Sequence, residues 1–308
     1  MTTSAARTGG LALAAVLLAS AAAPALAADG PLVTTDWLEA QLDADDVRVF
    51  EVSVNPEVYE GGHIPGAVNL LWHTDLVDPV RRDIAGREAL EARLRAAGLD
   101  EGDTIVLYGD TNNWFAAWGA WVLHVYGLDA KLLDGGRKLW EAEGRPLSAT
   151  PPSREPGDVS LAAADESARA RLADVVAASE SGAHHIVDIR SHAEYSGEIV
   201  APPGLQETAI RAGHVTGAIN IPWGEAVQED GRFKPASELE AIYAAAGVDG
   251  SKPVITYCRI GERSSHTWFA LSKILGYDVR NYDGSWTEYG NAVDVPITNL
   301  AGTVWTGR

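Results

Sequence analysis

The chain has 308 residues, enough for about two domains, and its apolar fraction of 46 % is ordinary for soluble globular proteins. Its formal charge of −19 argues against a nucleic-acid-binding surface and against a patch that binds anionic membranes. Against this acidic background, two arginines next to the single cysteine of the chain are informative.

The first 27 residues have the pattern of a secretory signal peptide. Arg7 precedes an apolar run, and Ala25-Leu26-Ala27 forms the A-x-A pattern of a cleavage site. The run is too short to span a bilayer, so we expect no stable membrane insertion, with an uncleaved anchor as the alternative. The pattern predicts export to the periplasm or the exterior, where a lone cysteine has no internal disulfide partner.

Short apolar runs rich in β-branched residues alternate with helical patterns along the rest of the chain. The runs predict buried strands, and the patterns between them predict helices. The predicted strands are 47–53, 104–109, 185–190 and 253–258, and the predicted helices are 86–98, 236–247 and 264–276. This alternation predicts an α/β fold with parallel sheets.

The sequence contains the same pattern twice. GGHIPGAVNLLW at 61–72 returns as AGHVTGAINIPW at 212–223, with six of eleven positions identical from the second residue of each segment onward. Two further blocks recur in the same order at nearly the same offset, which indicates a duplicated domain.

The duplication and the composition predict the domain boundaries. We expect an N-terminal domain at 28–145 and a C-terminal domain at 159–308, joined by a linker at 146–158 that contains four prolines. The second copy carries an insertion at 196–214. Its polar, proline- and glycine-rich composition predicts a surface loop near the site or near the domain junction.

Cys258 ends a predicted strand and precedes a predicted helix. The carboxyl end of a parallel strand is where α/β sheets place ligands. Gly261 permits a tight turn that points backbone N–H groups inward, and the helix N-terminus, Arg259 and Arg263 add positive charge. We therefore predict that Cys258 is a nucleophile whose pKa is lowered.

The first copy lacks this chemistry. The positions that correspond to Cys258, Arg259 and Arg263 are occupied by Gly109, Asp110 and Trp114. The N-terminal domain is therefore predicted to be non-catalytic, to pack against the second copy and to supply one wall of the cleft.

The duplication, the two G-H-x-x-G-A-x-N segments and the loop CRIGER resemble the rhodaneses, the thiosulfate sulfurtransferases. The resemblance implies two tandem rhodanese-like domains, each a parallel sheet flanked by helices, with catalysis in the second. It also implies that Cys258 takes a sulfane sulfur from thiosulfate as a persulfide, releases sulfite and passes the sulfur to cyanide or a thiol. The backbone amides of a loop that includes Ile260, Gly261 and Glu262 would then cradle the persulfide.

The charge beside the thiol agrees with a dianionic sulfur donor. Arg259 or Arg263 can bind the sulfonate oxygens of thiosulfate and neutralise the charge that develops on sulfite. The reaction needs no metal or organic cofactor, and no cluster of His, Cys and carboxylate residues in the sequence has metal-ligand spacing.

Three alternatives remain at this point. A 3-mercaptopyruvate sulfurtransferase is the nearest, although Arg259 stands where loops of the C-G-S-G type have glycine and therefore favours an inorganic dianion. A cysteine phosphatase would need C-x5-R, but only four residues separate Cys258 from Arg263. The third is a non-enzymatic sulfur-binding module, which the intact loop disfavours.

Other residues have weaker signals. Asp188 and Arg190 end a strand on the same sheet edge as Cys258 and form either a pair that steadies the loop or a purely structural ion pair. Trp286 is either a wall of the pocket or a core residue. His63 and His214 occur in both copies, so we predict a structural role for them.

Overall fold

The computed structural model describes Met1, residues 30–204 and residues 209–304. The predicted signal peptide therefore lies outside the described residues, apart from Met1. Within the described ranges no helix is long and apolar enough to cross a bilayer. The same ranges contain no group of three or more His, Cys, Asp or Glu side chains that could hold a metal ion.

The first half of the chain alternates strands with helices. Its elements are β1 Leu32–Val33, α1 Thr35–Ala40, β2 Val47–Ser53, α2 Pro56–Glu60, β3 Val68–Leu71, α3 Trp72–Asp75, β4 Val77–Asp78, β5 Asp83–Ile84, α4 Arg87–Ala96, β6 Thr104–Gly109, α5 Trp114–Val125, β7 Ala130–Leu133 and α6 Gly136–Ala142. The main sheet has the strand order β1-β7-β6-β2-β3, and its pairs are all parallel. Strands β4 and β5 form a separate antiparallel hairpin.

The second half repeats this plan with shorter strands. Its elements are a 3-10 helix Glu166–Ala168, α7 Leu172–Ser181, β8 His185–Asp188, α8 His192–Ser196, β9 His214–Val215, β10 Ile219–Asn220, a 3-10 helix Trp223–Ala226, α9 Ala236–Ala245, β11 Val254–Tyr257, α10 Glu262–Trp268, a π-helix Phe269–Ile274, β12 Val279–Asn281, α11 Ser285–Tyr289 and β13 Ile297–Thr298. The parallel sheet has the order β10-β8-β11-β12. The predicted fold, two α/β domains with parallel sheets flanked by helices, is confirmed.

The strand predictions hold, but their ends matter for the site. The runs 47–53 and 104–109 coincide with β2 and β6. Strands β8 and β11 end before Arg190 and Cys258, so both side chains lie in the turns that follow the strands.

The predicted helix at 264–276 is wrong at its start and in its type. Helix α10 already begins at Glu262, and the helix becomes a π-helix at Phe269. The early start follows from Gly261, whose φ of 103° turns the chain from the loop directly into the first helical turn. Glu262 and Arg263 are therefore helical residues rather than loop residues.

The segment between the halves is attached to the first half. Residues 151–165 have no regular secondary structure. The N–H groups of Gly157 and Val159 donate to the carbonyls of Arg95 and Leu99, at 2.8 and 3.1 Å. These bonds satisfy the backbone of the segment without a strand or a helix.

The two halves share a hydrophobic core. Helix α5 packs against α10, and Trp118 and Trp121 of α5 belong to the same buried cluster as Trp268 of α10. Beside this core, Arg169 donates to Asp283 at 2.6 and 2.8 Å and forms an ion pair with Asp83 of the first half at 2.6 Å. The first copy therefore packs against the second, as predicted.

His63 and His214 have the predicted structural role. Each ring is buried and stacks on a tyrosine, Tyr59 at 3.9 Å and Tyr195 at 3.6 Å between ring centroids. Each Nδ1 lies at hydrogen-bonding distance from the carbonyl oxygen of the same tyrosine, at 3.0 and 2.7 Å. The same packing in both copies explains why both keep the histidine.

Candidate active site

Cys258 lies in the turn between β11 and α10 and its side chain is fully buried. The Gly261 N–H donates to Sγ at 3.1 Å. The Cys258 N–H donates to the Ser285 hydroxyl at 3.1 Å, and the Cys258 carbonyl accepts from the Trp286 N–H at 3.1 Å. The turn between β12 and α11 therefore fixes the backbone of Cys258 through two hydrogen bonds.

Gly261 is required here for two reasons. Its φ of 103° is one that L side chains rarely adopt. A Cβ at this position would also lie 2.5 Å from the Trp118 ring of the first half and 2.7 Å from the Asp283 Cα. The conformation that aims the Gly261 N–H at the sulfur therefore has no room for a side chain.

The pKa prediction for the thiol is wrong. Burial raises the pKa of Cys258, and the Glu262 carboxylate, whose Oε2 lies 3.6 Å from Sγ, raises it further. Arg263 and the N–H groups of Ser264 and Gly261 lower the pKa but do not outweigh these two causes. The sequence places two arginines near the thiol, whereas only the fold shows that Glu262 faces it and that the residue is buried.

The two predicted arginines line a cavity of about 620 Å³ between the two halves. Arg263 lies between two acids, with Nη2 3.6 Å from Glu194 Oε1 and Nε 3.8 Å from Glu262 Oε1. Its guanidinium carbon is 5.9 Å from the ring centroid of Trp114 in the first half. Arg263 is thus oriented both by residues of its own half and by Trp114 of the first half.

Both halves line this cavity. From the second half come Pro202, Gly204, Arg259, Ile260, Glu262 and Arg263, and from the first half Val54, Trp72, His73, Thr111, Trp114 and Phe115. The first copy thus supplies one wall of the cleft, as predicted, and that wall is largely aromatic. Its aromatic character was not predicted, because the order of residues does not show which side chains of one copy face the other.

The insertion reaches the same cavity. Pro202 and Gly204 belong to the segment 196–214, and both are among the lining residues. Residues 205–208 lie outside the described ranges. The prediction that this loop lies near the site is confirmed for its described part.

Asp188 and Arg190 form a buried ion pair next to the end of β11, the strand that precedes Cys258. Arg190 donates to Asp188 at 2.6 and 2.9 Å, and the Tyr257 hydroxyl donates to Asp188 at 2.6 Å. Tyr257 immediately precedes Cys258, so the pair steadies the strand end that carries the thiol. The first copy has a similar network, in which Tyr108 and Arg137 donate to Glu51, although it has no cysteine at the equivalent position. This counterpart favours a structural role for Asp188 and Arg190.

Trp286 belongs to the core below the loop rather than to the cavity wall. Its side chain is 1 % exposed, and its indole N–H donates to the Arg211 carbonyl at 3.0 Å. The Arg190 guanidinium lies 4.5 Å from its ring centroid. Trp286 thus supports Arg190, and through it the end of β11.

Two residues that contact the site, Ser285 and Glu194, were not predicted. Ser285 replaces Gly136 of the first copy, and both residues have positive φ, 50° and 56°. In the first copy the Asn113 side chain accepts from the Gly109 N–H at 3.0 Å, as the Ser285 hydroxyl does from the Cys258 N–H. The change from DGG to DGS between the copies was a signal in the sequence. No comparable signal marked Glu194.

The fold and the site together define a class of protein. The chain has two tandem α/β domains, and its one cysteine lies at a strand-to-helix turn. A backbone N–H donates to the cysteine sulfur and arginines lie beside it, an arrangement that suits the transfer of a group through a thiol. The sequence model of the rhodanese-like domain matches residues 34–143 and 172–292. The chain belongs to the rhodanese family, and it is a sulfurtransferase.

Relatives cover almost the whole of the described chain. A protein of Saccharopolyspora erythraea named "Putative thiosulfate sulfurtransferase" is 51 % identical over 271 residues, which are 87 % of this chain and 96 % of that protein. A protein of Thermus thermophilus named "Sulfur carrier protein" is 47 % identical over 86 % of this chain and 95 % of its own length.

A solved structure shows the same two-domain fold. It is SseA of Escherichia coli, described as having the rhodanese fold of the 3-mercaptopyruvate sulfotransferases. Its TM-score is 0.73 at 27 % sequence identity, over 83 % of this chain and 99 % of that one.

Proposed function

We propose that this sulfurtransferase moves a sulfane sulfur from thiosulfate to cyanide or a thiol through a persulfide on Cys258. The observation that carries the proposal is the position of the Cys258 sulfur. It accepts from the Gly261 N–H at 3.1 Å, and Arg259 and Arg263, which follow it in the chain, line the cavity. A donor anion and a nucleophile can meet at this point.

The transfer consists of two displacements. The Cys258 sulfur attacks the outer sulfur of thiosulfate, the new S–S bond forms, and sulfite leaves with the electron pair of the broken S–S bond. The acceptor then attacks the outer sulfur of the persulfide, and the Cys258 thiolate leaves. Each step conserves sulfur and charge and needs no cofactor. The Gly261 N–H remains in place to stabilise negative charge on Sγ in both steps.

The two arginines that line the cavity favour thiosulfate over 3-mercaptopyruvate as the donor. Arg259 and Arg263 both line the cavity, and a sulfonate group can accept from a guanidinium through two oxygens. The name of the relative from Saccharopolyspora erythraea also supports thiosulfate. The fold shared with SseA keeps 3-mercaptopyruvate as the competing donor.

The cavity favours a thiol as the acceptor. Its volume of about 620 Å³ lies within the range of sites that hold small organic molecules, whereas cyanide has only two atoms. Trp72, Trp114 and Phe115 offer apolar contacts to the body of such a thiol. Cyanide also fits this space and serves as the assay acceptor.

Arg259→Gly tests the choice of donor. Removing one charged contact to a bound anion costs about 1.5 to 3 kcal/mol, so kcat/KM for thiosulfate should fall roughly ten- to a hundredfold. Turnover of 3-mercaptopyruvate should fall less, because its carboxylate binds differently. The measurement is kcat/KM for both donors in the wild type and the variant.

Arg81→Gly is the matched control, because Arg81 is exposed and does not line this cavity. It removes the same charge and should leave both donors unaffected. Faster turnover of 3-mercaptopyruvate than of thiosulfate by the wild type would contradict the thiosulfate assignment. Release of phosphate from a phosphoryl ester would instead support the phosphatase alternative.

We also propose that the protein is exported to the periplasm or the exterior. The proposal rests on Arg7, the apolar run that follows it and the A-x-A pattern at 25–27. N-terminal sequencing of protein recovered from the native cell fractions should find a chain that begins after Ala27. A cytoplasmic protein that keeps residues 1–27 would refute export.

A further inference from the structure

The side chain of Glu262 has no role in the steps above, yet its carboxylate lies against the thiol. Its Oε2 lies 3.6 Å from the Cys258 sulfur, and the residue is only 4 % exposed. It also lines the cavity, so a donor in the cavity meets this carboxylate beside the sulfur. A fixed negative charge there would repel a dianion such as thiosulfate.

We propose that Glu262 is the proton acceptor for Cys258 when the persulfide forms. This inference rests on the proposed function, because it concerns the first displacement of that reaction. As Sγ forms its bond to the outer sulfur, the thiol proton moves to the Glu262 carboxylate and sulfite leaves as the dianion. The reactants Cys–SH, carboxylate and thiosulfate dianion become persulfide anion, carboxylic acid and sulfite dianion. The total charge is −3 on both sides.

The second displacement returns the proton. The acceptor removes the outer sulfur and leaves the Cys258 thiolate, which recovers its proton from the Glu262 carboxylic acid. The resting thiol and carboxylate are thus restored without a proton from solvent. When the acceptor is cyanide, thiocyanate is the product, and the charge again balances.

The charges around Glu262 are compatible with this role. Glu262 is surrounded by the Cys258 thiol and the guanidinium groups of Arg259 and Arg263. The Glu194 carboxylate of α8 faces Arg263, and the His73 imidazole of α3 lines the same cavity. Burial raises the pKa of Glu262, and the arginines lower it. A carboxylate with a raised pKa is a stronger base toward a thiol than an ordinary one, which suits general base catalysis.

The proposal also accounts for a thiol whose pKa is raised rather than lowered. The protein does not need a thiolate before the donor arrives if a base stands 3.6 Å from the sulfur. Proton transfer during the attack also removes the negative charge that would otherwise face the incoming dianion. Activation and charge relief are then the same event.

The test is the pH dependence of persulfide formation in a single turnover with thiosulfate, followed by rapid quenching and mass spectrometry. In the wild type the rate should rise as Glu262 ionises and then stay level until the pH at which the thiol ionises by itself. In Glu262→Gln the rate at neutral pH should fall at least about tenfold, and it should keep rising at alkaline pH, where the thiol ionises by itself.

Two further variants separate proton transfer from a structural effect. Glu262→Asp keeps a carboxylate and should retain the level region at a reduced rate. Glu194→Gln removes a carboxylate that lies about as far from Arg263 as Glu262 does, but it keeps the Glu262 carboxylate beside the sulfur. The pH profile of this variant should therefore have the wild-type shape.

Each result has one meaning. A Glu262→Gln profile with the wild-type shape, at any rate, would overturn the proposal, and so would an Asp variant that behaves like Gln. Failure of the wild type to form any persulfide from thiosulfate would instead refute the proposed function itself.

Discussion

Cys258→Ser is expected to abolish sulfur transfer and to leave the fold intact. Serine is close in size to cysteine, and its hydroxyl can accept from the Gly261 N–H, but it cannot carry a persulfide. Removing the nucleophile of a covalent mechanism should lower the rate by at least about a thousandfold. The measurement is thiocyanate formation from thiosulfate and cyanide, combined with mass spectrometry for one added sulfur atom on wild-type Cys258.

The N-terminal half of the chain, which has Gly109 at the position equivalent to Cys258, provides the control for this experiment. Gly109→Cys in the Cys258→Ser background places a thiol at the equivalent turn and should not restore transfer. Asp110 and Trp114 stand where the arginines would be, and a Cβ at Gly109 would lie 2.9 Å from the Val52 carbonyl oxygen. Transfer at the wild-type rate by Cys258→Ser would refute the assignment of the chemistry to Cys258. Sulfur labelling of the engineered thiol would instead refute the prediction that the first copy is non-catalytic.

Gly261→Ala is expected to cause the second large loss, in both stability and activity. The alanine would have to keep a φ of 103°, which L residues rarely adopt, and its methyl group would overlap the Trp118 ring. Backbone strain and overpacking together should lower the free energy of unfolding by at least about 2 kcal/mol. Relief of the overlap also moves the Gly261 N–H away from Sγ, so the rate of persulfide formation should fall.

Gly224→Ala is the matched control, because a Cβ at Gly224 would meet no atom within 4 Å and its φ is not in the left-handed region. It should leave stability and transfer close to the wild type. Denaturant unfolding and the thiocyanate assay on both variants provide the comparison. A Gly261→Ala protein with wild-type stability and activity would show that this turn does not need glycine.

Much of the site could be predicted because it is local in sequence. Cys258, Gly261 and Arg263 lie within six residues of one another, and the end of a strand followed by the start of a helix brings such neighbours together in any α/β fold. The duplication was equally visible, because repeated segments such as 61–72 and 212–223 preserve identical residues that both copies need for the same packing.

Contacts between distant segments could not be predicted in this way. Trp118 lies 143 positions before Gly261, yet its ring closes one side of the active-site turn. Arg169 reaches Asp83 in the first half and Asp283 beside the loop, which connects the domain interface to the site. Such contacts depend on how two domains dock, and the local periodicity of a sequence contains no record of docking.

The sequence by itself determined the family, the duplication and the position of the single cysteine between a strand and a helix, since each depends on residues that lie close together or recur at one offset. Only the tertiary structure decided that Cys258 is buried, that the Glu262 carboxylate lies 3.6 Å from its sulfur, and that the pKa of the thiol is raised. The physical reason is that burial and side-chain direction depend on the packing of α5 against α10. That packing determines how far the sulfur is removed from solvent, and therefore the pKa of the thiol.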